Sequence, residues 1–365
     1  MKDYAKYVEW AEGRVANSCL FAFNTNVDVV FEFSEEHAKV FSENEELAPL
    51  LECVFSGGQR EIRVSRRTAE KLAQLRGGVA VVGGQAGNMA NVSAALGVST
   101  YLHVYSKSER QISLIDKNVM VQTEKCFKPA RMAGCGDEES THYVFEFKKG
   151  VFLGKKIPAS NRVIASYDEA NFNMLIDDNF ERCVERNIGR IEKIVLGGFH
   201  LLGRKCRERV AHVEKLVERW RDMNQEIRVF LELGDFQDLD IAREVKRRLF
   251  PLVDCVGMNE VELKQVAGGD INSLRKIVKS AVIHTKEGSV LVGEKKEEAQ
   301  VFASIVASYR AFYGKNPRFE ELYDYSQRIK QGRFGVKGGV GSFPVKERRT
   351  VGLGDCFASA FFLTY

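Results

Sequence analysis

Thr350-Val351-Gly352-Leu353-Gly354-Asp355, followed by CFASAFFLTY to Tyr365, is the most informative stretch of the chain. Two glycines stand just ahead of a run of small and apolar residues that reads as a buried helix. A glycine loop lets backbone N–H groups converge on one point, and the N-terminus of the helix adds a positive partial charge there. Such a loop holds a phosphoryl group in flight. Asp355, in the first turn, can accept the proton of an attacking hydroxyl. Taken alone, the motif reads equally well as a glycine turn with Asp355 as an ordinary N-cap. The chain has no G-x-x-x-x-G-K-[ST] and no G-x-G-x-x-G, which argues against P-loop and Rossmann-type nucleotide sites.

Working upstream, the second half alternates strand-like and helix-like segments. IVLGGF (194–199) reads as a buried strand ending in glycine. Residues 205–224 read as an amphipathic helix, with Cys206, Val210, Val213, Val217 and Trp220 on one face. Then come a strand at 227–233, a helix around 240–249, a short strand at 254–259, the helix EVELKQV and a strand at 281–285. This order argues for an α/β fold with a mostly parallel sheet covered by helices. The first half differs. Residues 27–75 are highly charged and look largely helical, while THYVFEFKKGVFLGKKI (141–157) alternates like antiparallel strands with one wet face. Such a piece suits a lid over the carboxyl ends of the main sheet, where open α/β sheets bind ligands.

Composition narrows the class. The chain has 365 residues, enough for two domains or one with an inserted lid. Lys plus Arg exceed Asp plus Glu by 54 − 50 = +4, too small and too interspersed an excess to point to nucleic acid. None of the eight cysteines stands in a C-x-x-C pair, so zinc and redox motifs lack support. No apolar run reaches the roughly 18 residues that span a bilayer, and MKDYAKYVEWAEG lacks the apolar core of a secretory signal. The expectation is a cytoplasmic protein with free thiols and neither a membrane nor a nucleic-acid partner. The sequence leaves the oligomeric state open.

Other residues have a chemical reading beside a plain one. Asp28 follows an alternating strand and can bond sugar hydroxyls, or it is a strand-end Asp in a turn. Gly83, Gly84, Gln85, Ala86 and Gly87 form a flexible turn before a helix, and read equally as a simple entry loop. Glu262 stands three residues after Asn259 at a helix start, where it can hold magnesium-bound waters or be a solvated helix residue. His200 and His284 stand at strand ends, where satisfied structural histidines are common.

TVGLGD with its apolar helix resembles the G-x-G-D motif of ribokinase-like kinases. An ordered set of further segments resembles the ADP-dependent glucokinase and phosphofructokinase family: FAFNTNVDVV (21–30), GGQAGNMAN (83–91), FEFKKG (145–150), IPASNRVIAS (157–166), VLGGFHLL (195–202), VDCVGMNEVEL (253–263) and IHTK (283–286). The resemblance implies a ribokinase-like α/β fold. Residues 1–26, 81–135 and 169–365 would form a large nucleotide-binding domain, and 27–80 and 136–168 a smaller α+β lid. It implies a magnesium-dependent kinase moving a phosphoryl group from ADP to a hydroxyl of glucose, fructose 6-phosphate or a related sugar. Asp355 would be the base, with Gly352 and Gly354 in the anion hole. Asn24, Asn26, Asp28, Gly83, Gly84, Gln85 and Arg162 would meet the sugar. Asn259, His284, Thr285, Val351 and Gly352 would meet the nucleotide, and Glu232 and Glu262 the metal. The family's H-x-E histidine is replaced here by Phe230. Ser140 and Asp168 stand where the family's phosphofructokinases carry phosphate-binding cations, and 75–87 offers no glutamate of the kind the glucokinases set against the sugar. An ATP-dependent ribokinase-like kinase and a non-catalytic sugar or nucleotide binder are the competing readings.

Overall fold

The computed structural model describes residues 3–134, 136–203, 207–285, 288–294, 296–330 and 352–365. Val351, Thr350, Lys286, Cys206 and Cys135 lie outside the described residues. In chain order the strands are β1 Ser18–Ala22, β2 Asn26–Glu32, β3 Arg60–Arg63, β4 Val79–Gly83, β5 Ser99–Leu102, β6 Val119–Gln122, β7 Phe127–Pro129 and β8 Thr141–Phe147. They continue with β9 Gly150–Phe152, β10 Lys155–Ile157, β11 Asn161–Tyr167, β12 Lys193–Leu196, β13 Arg228–Glu232, β14 Cys255–Met258, β15 Ala281–His284 and β16 Ser289–Val292.

A nine-stranded sheet runs β16-β15-β14-β13-β12-β1-β5-β6-β7. Its pairs are parallel except at the two edges, where β16 meets β15 and β7 meets β6 antiparallel. β1, β12 and β14 are buried along their whole length, because helices cover both faces; their sequences are correspondingly near-continuous apolar runs. On one face the helix Arg207–Met223 buries Val210, Val213, Leu216, Val217 and Trp220. On the other, the helices Gln85–Ala95, Glu297–Tyr313 and Leu353–Thr364 share one core. The chain departs from β1 toward β12 on one side and β5 on the other, so a crevice opens at the carboxyl ends of these strands.

A second sheet of five strands runs β3-β11-β8-β2-β4. β1 and β2 are joined by residues 23–25 alone, so one short link passes from the large sheet to the small one. The region 27–75 holds the helices Glu35–Ser42, Ala48–Ser56 and Arg66–Leu72, but also β2 and β3. Its strands are hard to see in sequence because β3 pairs with β11, about a hundred positions away. The expectation of one wet face for 141–157 holds for the antiparallel pair β9 and β10 but is corrected for β8. Tyr143, Phe145 and Phe147 pack against the helices in an apolar core, while His142 and Val144 face the crevice. The alternation is real, but the polar face meets the large sheet's crevice rather than bulk water. β4 pairs along its length with β2, so it runs unbroken through the expected domain boundary at 80/81.

Candidate active site

The crevice between the two sheets gathers the chemistry. Asp355 lies in the first turn of the helix Leu353–Thr364, whose cap Gly352 has φ +72°. A Cβ on Gly352 would lie 3.0 Å from Arg310 Nη2 and 3.1 Å from Asn88 Oδ1, and one on Gly354 would lie 3.1 Å from His284 Cε1. The left-handed φ of Gly352 favours glycine, and a side chain at either position would crowd its neighbour. Arg310 Nη2 donates to Asn88 Oδ1 at 3.1 Å and its Nη1 to Asn316 at 2.7 Å, which ties the loop's surroundings together. Burial, then the Glu232 carboxylate, push the Asp355 carboxyl up to about 7, against the pull of Arg310, Arg162 and His284. A carboxyl titrating near neutrality is poised to take a proton.

Glu232 ends β13 and is buried. His284 Nε2 donates to its Oε1 at 3.1 Å, while its Oε2 has no hydrogen-bond partner among the described residues. A Cβ on Gly257 would fall 1.9 Å from that Oε2, so the neighbouring strand needs glycine there. Burial raises the Glu232 carboxyl while His284 opposes it. Phe230, two residues earlier, is fully buried and stacks on Phe362 at 4.5 Å. Asn259 caps the helix Glu260–Ala267 and Glu262 answers it, accepting from Asn259 N at 2.8 Å and Nδ2 at 2.7 Å. Glu262 is 4% exposed, which removes the solvated-residue reading. Its burial first, with Glu232 and Asp235 adding to it, pushes the carboxyl up to about 7. An orphaned buried carboxylate oxygen beside a second desolvated carboxylate fits a divalent cation held through water. Among the described residues no group of three or more His, Cys, Asp or Glu could cage an ion directly.

Across the crevice, the small sheet supplies a different set. Asp28 on β2 accepts from Asn26 Nδ2 at 2.7 Å. A Cβ on Gly83 would fall 2.1 Å from Asp28 Oδ1, so β4 needs glycine opposite this pair. Asn26 itself is fully buried behind Asp28 rather than lining the crevice. Asn24, with φ +60°, lines it and leaves Oδ1 without a partner among the described residues. Gly84 also lines the crevice, and Gln85 spans it at the base, its Nε2 donating to Leu233 O at 2.5 Å and its Oε1 accepting from Gly198 N at 2.8 Å. Arg162 reaches the same space and makes no ion pair among the described residues. Thr285 does not line it, and bonds instead to Gly288.

Residues with no motif to announce them complete the wall. β8 sets His142 beside Asp28 in register. His142 Nε2 donates to the buried Asp168 at 2.9 Å, while its Nδ1 lies 3.6 Å from Glu61 and 4.0 Å from Asp28. Burial works against its charge, but the hydrogen bond to Asp168 and the carboxylates of Glu61 and Asp28 prevail and hold the imidazolium up at about 9. Asp168 is thus engaged with His142 rather than set against a ligand. Glu61, on β3, accepts from Ser166 at 2.6 Å and lines the crevice, a carboxylate that the linear sequence between 75 and 87 does not offer. His200 and Asn88 also line it.

Comparison with known proteins agrees with this arrangement. The family model for the ADP-specific phosphofructokinase/glucokinase conserved region matches residues 14–317. The ADP-dependent glucose/glucosamine kinase of Pyrococcus furiosus is 25% identical over 345 residues, an alignment covering 77% of this chain and 74% of that protein. The ADP-specific phosphofructokinase of Pyrococcus abyssi is 27% identical over 201 residues, covering 51% of this chain and less than half, 45%, of its own length. An ADP-dependent kinase solved with fructose-6-phosphate and ADPβS superposes with a TM-score of 0.79 at 17% identity, over 100% of this chain and 98% of that one. The adenosine kinase of Anopheles gambiae superposes at 0.52 and 12% identity, over 96% and 94%. These superpositions show a ribokinase-like fold. The profile's match stops short of the loop at 352–355 but runs through both sheets and every strand that lines the crevice, and the chain belongs to the ADP-specific phosphofructokinase/glucokinase family.

Proposed function

We propose that this chain is an ADP-dependent sugar kinase, transferring the terminal phosphoryl group of ADP to a sugar hydroxyl. The observation that carries the reading is the desolvated Asp355 at the helix N-terminus, facing the hydroxyl-binding set of Asn24, Asp28, Glu61 and His142 across one crevice. The sugar oxygen attacks phosphorus, its proton passes to Asp355, and AMP leaves with the electron pair of the broken bond. Backbone amides of 352–355 and the positive end of the helix stabilise the charge spreading over the phosphoryl oxygens. Glu232 and Glu262 would hold magnesium through its waters, and the ion would neutralise charge on the phosphoryl group. Asn259 and His284 stand on the nucleotide side, while Asn26, Gly83 and Gln85 position the sugar-side groups.

Three carboxylates, Asp28, Glu61 and Asp168, surround the one imidazolium on the sugar side. A sugar phosphate placed there would meet like charge, so we read the acceptor as an unphosphorylated hexose, with Arg162 left to the nucleotide phosphates. The small sheet acts as the lid (27–80 and 136–168, with β4 as its boundary strand), and the described thiols, all free, support a cytoplasmic setting. A coupled assay of the full chain with magnesium, crossing ADP and ATP with a panel of hexoses and hexose phosphates, tests this. Turnover with ADP and an unphosphorylated hexose is the expected result. Turnover with ATP alone would make it an ATP-dependent relative. Tight binding with no turnover would make it a non-catalytic one.

A further inference from the structure

The β9–β10 hairpin, a two-stranded sheet of its own that links β8 to β11 of the small sheet, is built against its own stability. The register Phe152↔Lys155, Val151↔Lys156 and Gly150↔Ile157 leaves a two-residue turn, Leu153-Gly154. Both residues have positive φ, +47° and +72°, as a type I′ turn demands. Asn-Gly or Gly-Gly suits that turn, whereas a leucine is unfavourable at left-handed φ. Leu153 is nevertheless there, 53% exposed, next to Val151 at 79%. Phe152 takes the inner face, 5.3 Å from Phe33 and 6.4 Å from Phe55. The apolar pair at the apex is therefore surplus to the packing of the hairpin itself.

The chain on either side of this turn is basic. Lys148, Lys149, Lys155 and Lys156 are all exposed. Lys148 shares its charge with Glu32, and Lys155 lies over the Phe55 ring. Lys149, Lys155 and Lys156 make no ion pair among the described residues. An exposed apolar turn on a hairpin whose lysines lack ion pairs matches an anionic bilayer, whose headgroups meet the lysines while the turn enters the boundary of the acyl chains. A second copy of the chain would bring the same charge to the same place and be repelled. No described helix is long and apolar enough to cross a membrane, but a peripheral contact needs none. We propose that this hairpin docks the protein on an anionic lipid surface. Its residues do not line the crevice, so docking leaves the sugar site open.

The test is co-sedimentation of the full chain with phosphatidylcholine vesicles, with and without phosphatidylserine, at low and high salt. Three unpaired lysines at about fivefold each give on the order of a hundredfold preference for the anionic vesicles at low salt, lost at high salt. Leu153→Asn installs the favoured turn residue, so it should melt no lower than the parent while partitioning roughly fivefold less. The pair Lys149→Glu with Lys156→Glu should abolish the preference. Equal binding to both vesicle types, or a Leu153→Asn variant that melts as the parent and partitions as well, overturns the proposal. So does retention on polyglutamate resin without vesicle binding, which would assign the hairpin to an acidic protein instead.

Discussion

At the scale of single residues, the crevice holds groups whose ordinary charge states are displaced in opposite directions. Asp355→Asn should cut turnover by about 10²–10⁴-fold while leaving ADP affinity nearly unchanged, measured by calorimetry beside the coupled assay. The same variant has a stability signature. In the metal-free parent at pH 8, Asp355 must stay ionised in a desolvated site, with its carboxyl pushed up to about 7. That cost is full above the folded value, shrinks as pH falls below it, and is gone only beneath the ordinary aspartate value. Asp355→Asn should therefore melt a few degrees higher than the parent at pH 8, with a margin that narrows steadily and closes only near about pH 4. His142 has the opposite sign. Its imidazolium, held up at about 9, contributes fully below the ordinary histidine range and loses its contribution as pH rises through 9. The KM for sugar should rise above pH 9, and His142→Gln should raise it roughly tenfold below pH 9 and remove that dependence, so that parent and variant converge above it, about the value of one charged hydrogen bond. Asp355, Glu232, Glu262 and Asp28 were legible in sequence because each belongs to a short motif beside a strand end. His142, Glu61 and Arg310 were not. Each sits in an ordinary strand or helix and reaches the site through packing or register: His142 opposite Asp28, and Glu61 opposite Ile164.

At the scale of elements, glycines decide how closely strands carry their charges together. β13 and β14 pair with Glu232 opposite Gly257, and a methyl group there would fall 1.9 Å from the Glu232 carboxylate. Gly257→Ala must turn that side chain out of its place. The expected outcome is an unchanged sugar affinity with a magnesium requirement raised at least tenfold, read from a metal titration of the assay. Gly83→Ala would act on the other wall, where the added carbon meets Asp28 at 2.1 Å and Asn26 at 2.4 Å. It should raise the sugar KM and leave the magnesium titration alone, so the two variants separate the walls by readout. The βα alternation that carries β12 to β15 was visible along the chain because parallel strands buried on both faces write themselves as apolar runs. The small sheet was visible only as alternation. Which face was wet, and which strand lay beside which, depend on pairs far apart in sequence, such as β2 with β8.

At the scale of the molecule, the two walls belong to two sheets joined by the short link at 23–25 and by the chain's later crossings. Asp355 and the anion loop ride on the large sheet's helices; Asp28, Glu61 and His142 ride on the small sheet. A transfer site split in this way requires closure, since water admitted beside Asp355 would hydrolyse ADP in place of the sugar's attack. ADP reaches the small sheet only through Arg162, and the sugar reaches the large sheet's side only through Gly84 and Gln85, so neither alone draws the walls fully together. Small-angle scattering should therefore show a fall in radius of gyration with sugar and ADP together that exceeds the sum of the changes with each alone. ADP hydrolysis in the absence of sugar should stay at least 10²-fold below transfer, because the base then faces an open crevice with no positioned nucleophile. Scattering profiles that superpose with and without saturating ligands would mean that the crevice is already closed around its substrates, and the small sheet would then be a fixed wall instead of a lid.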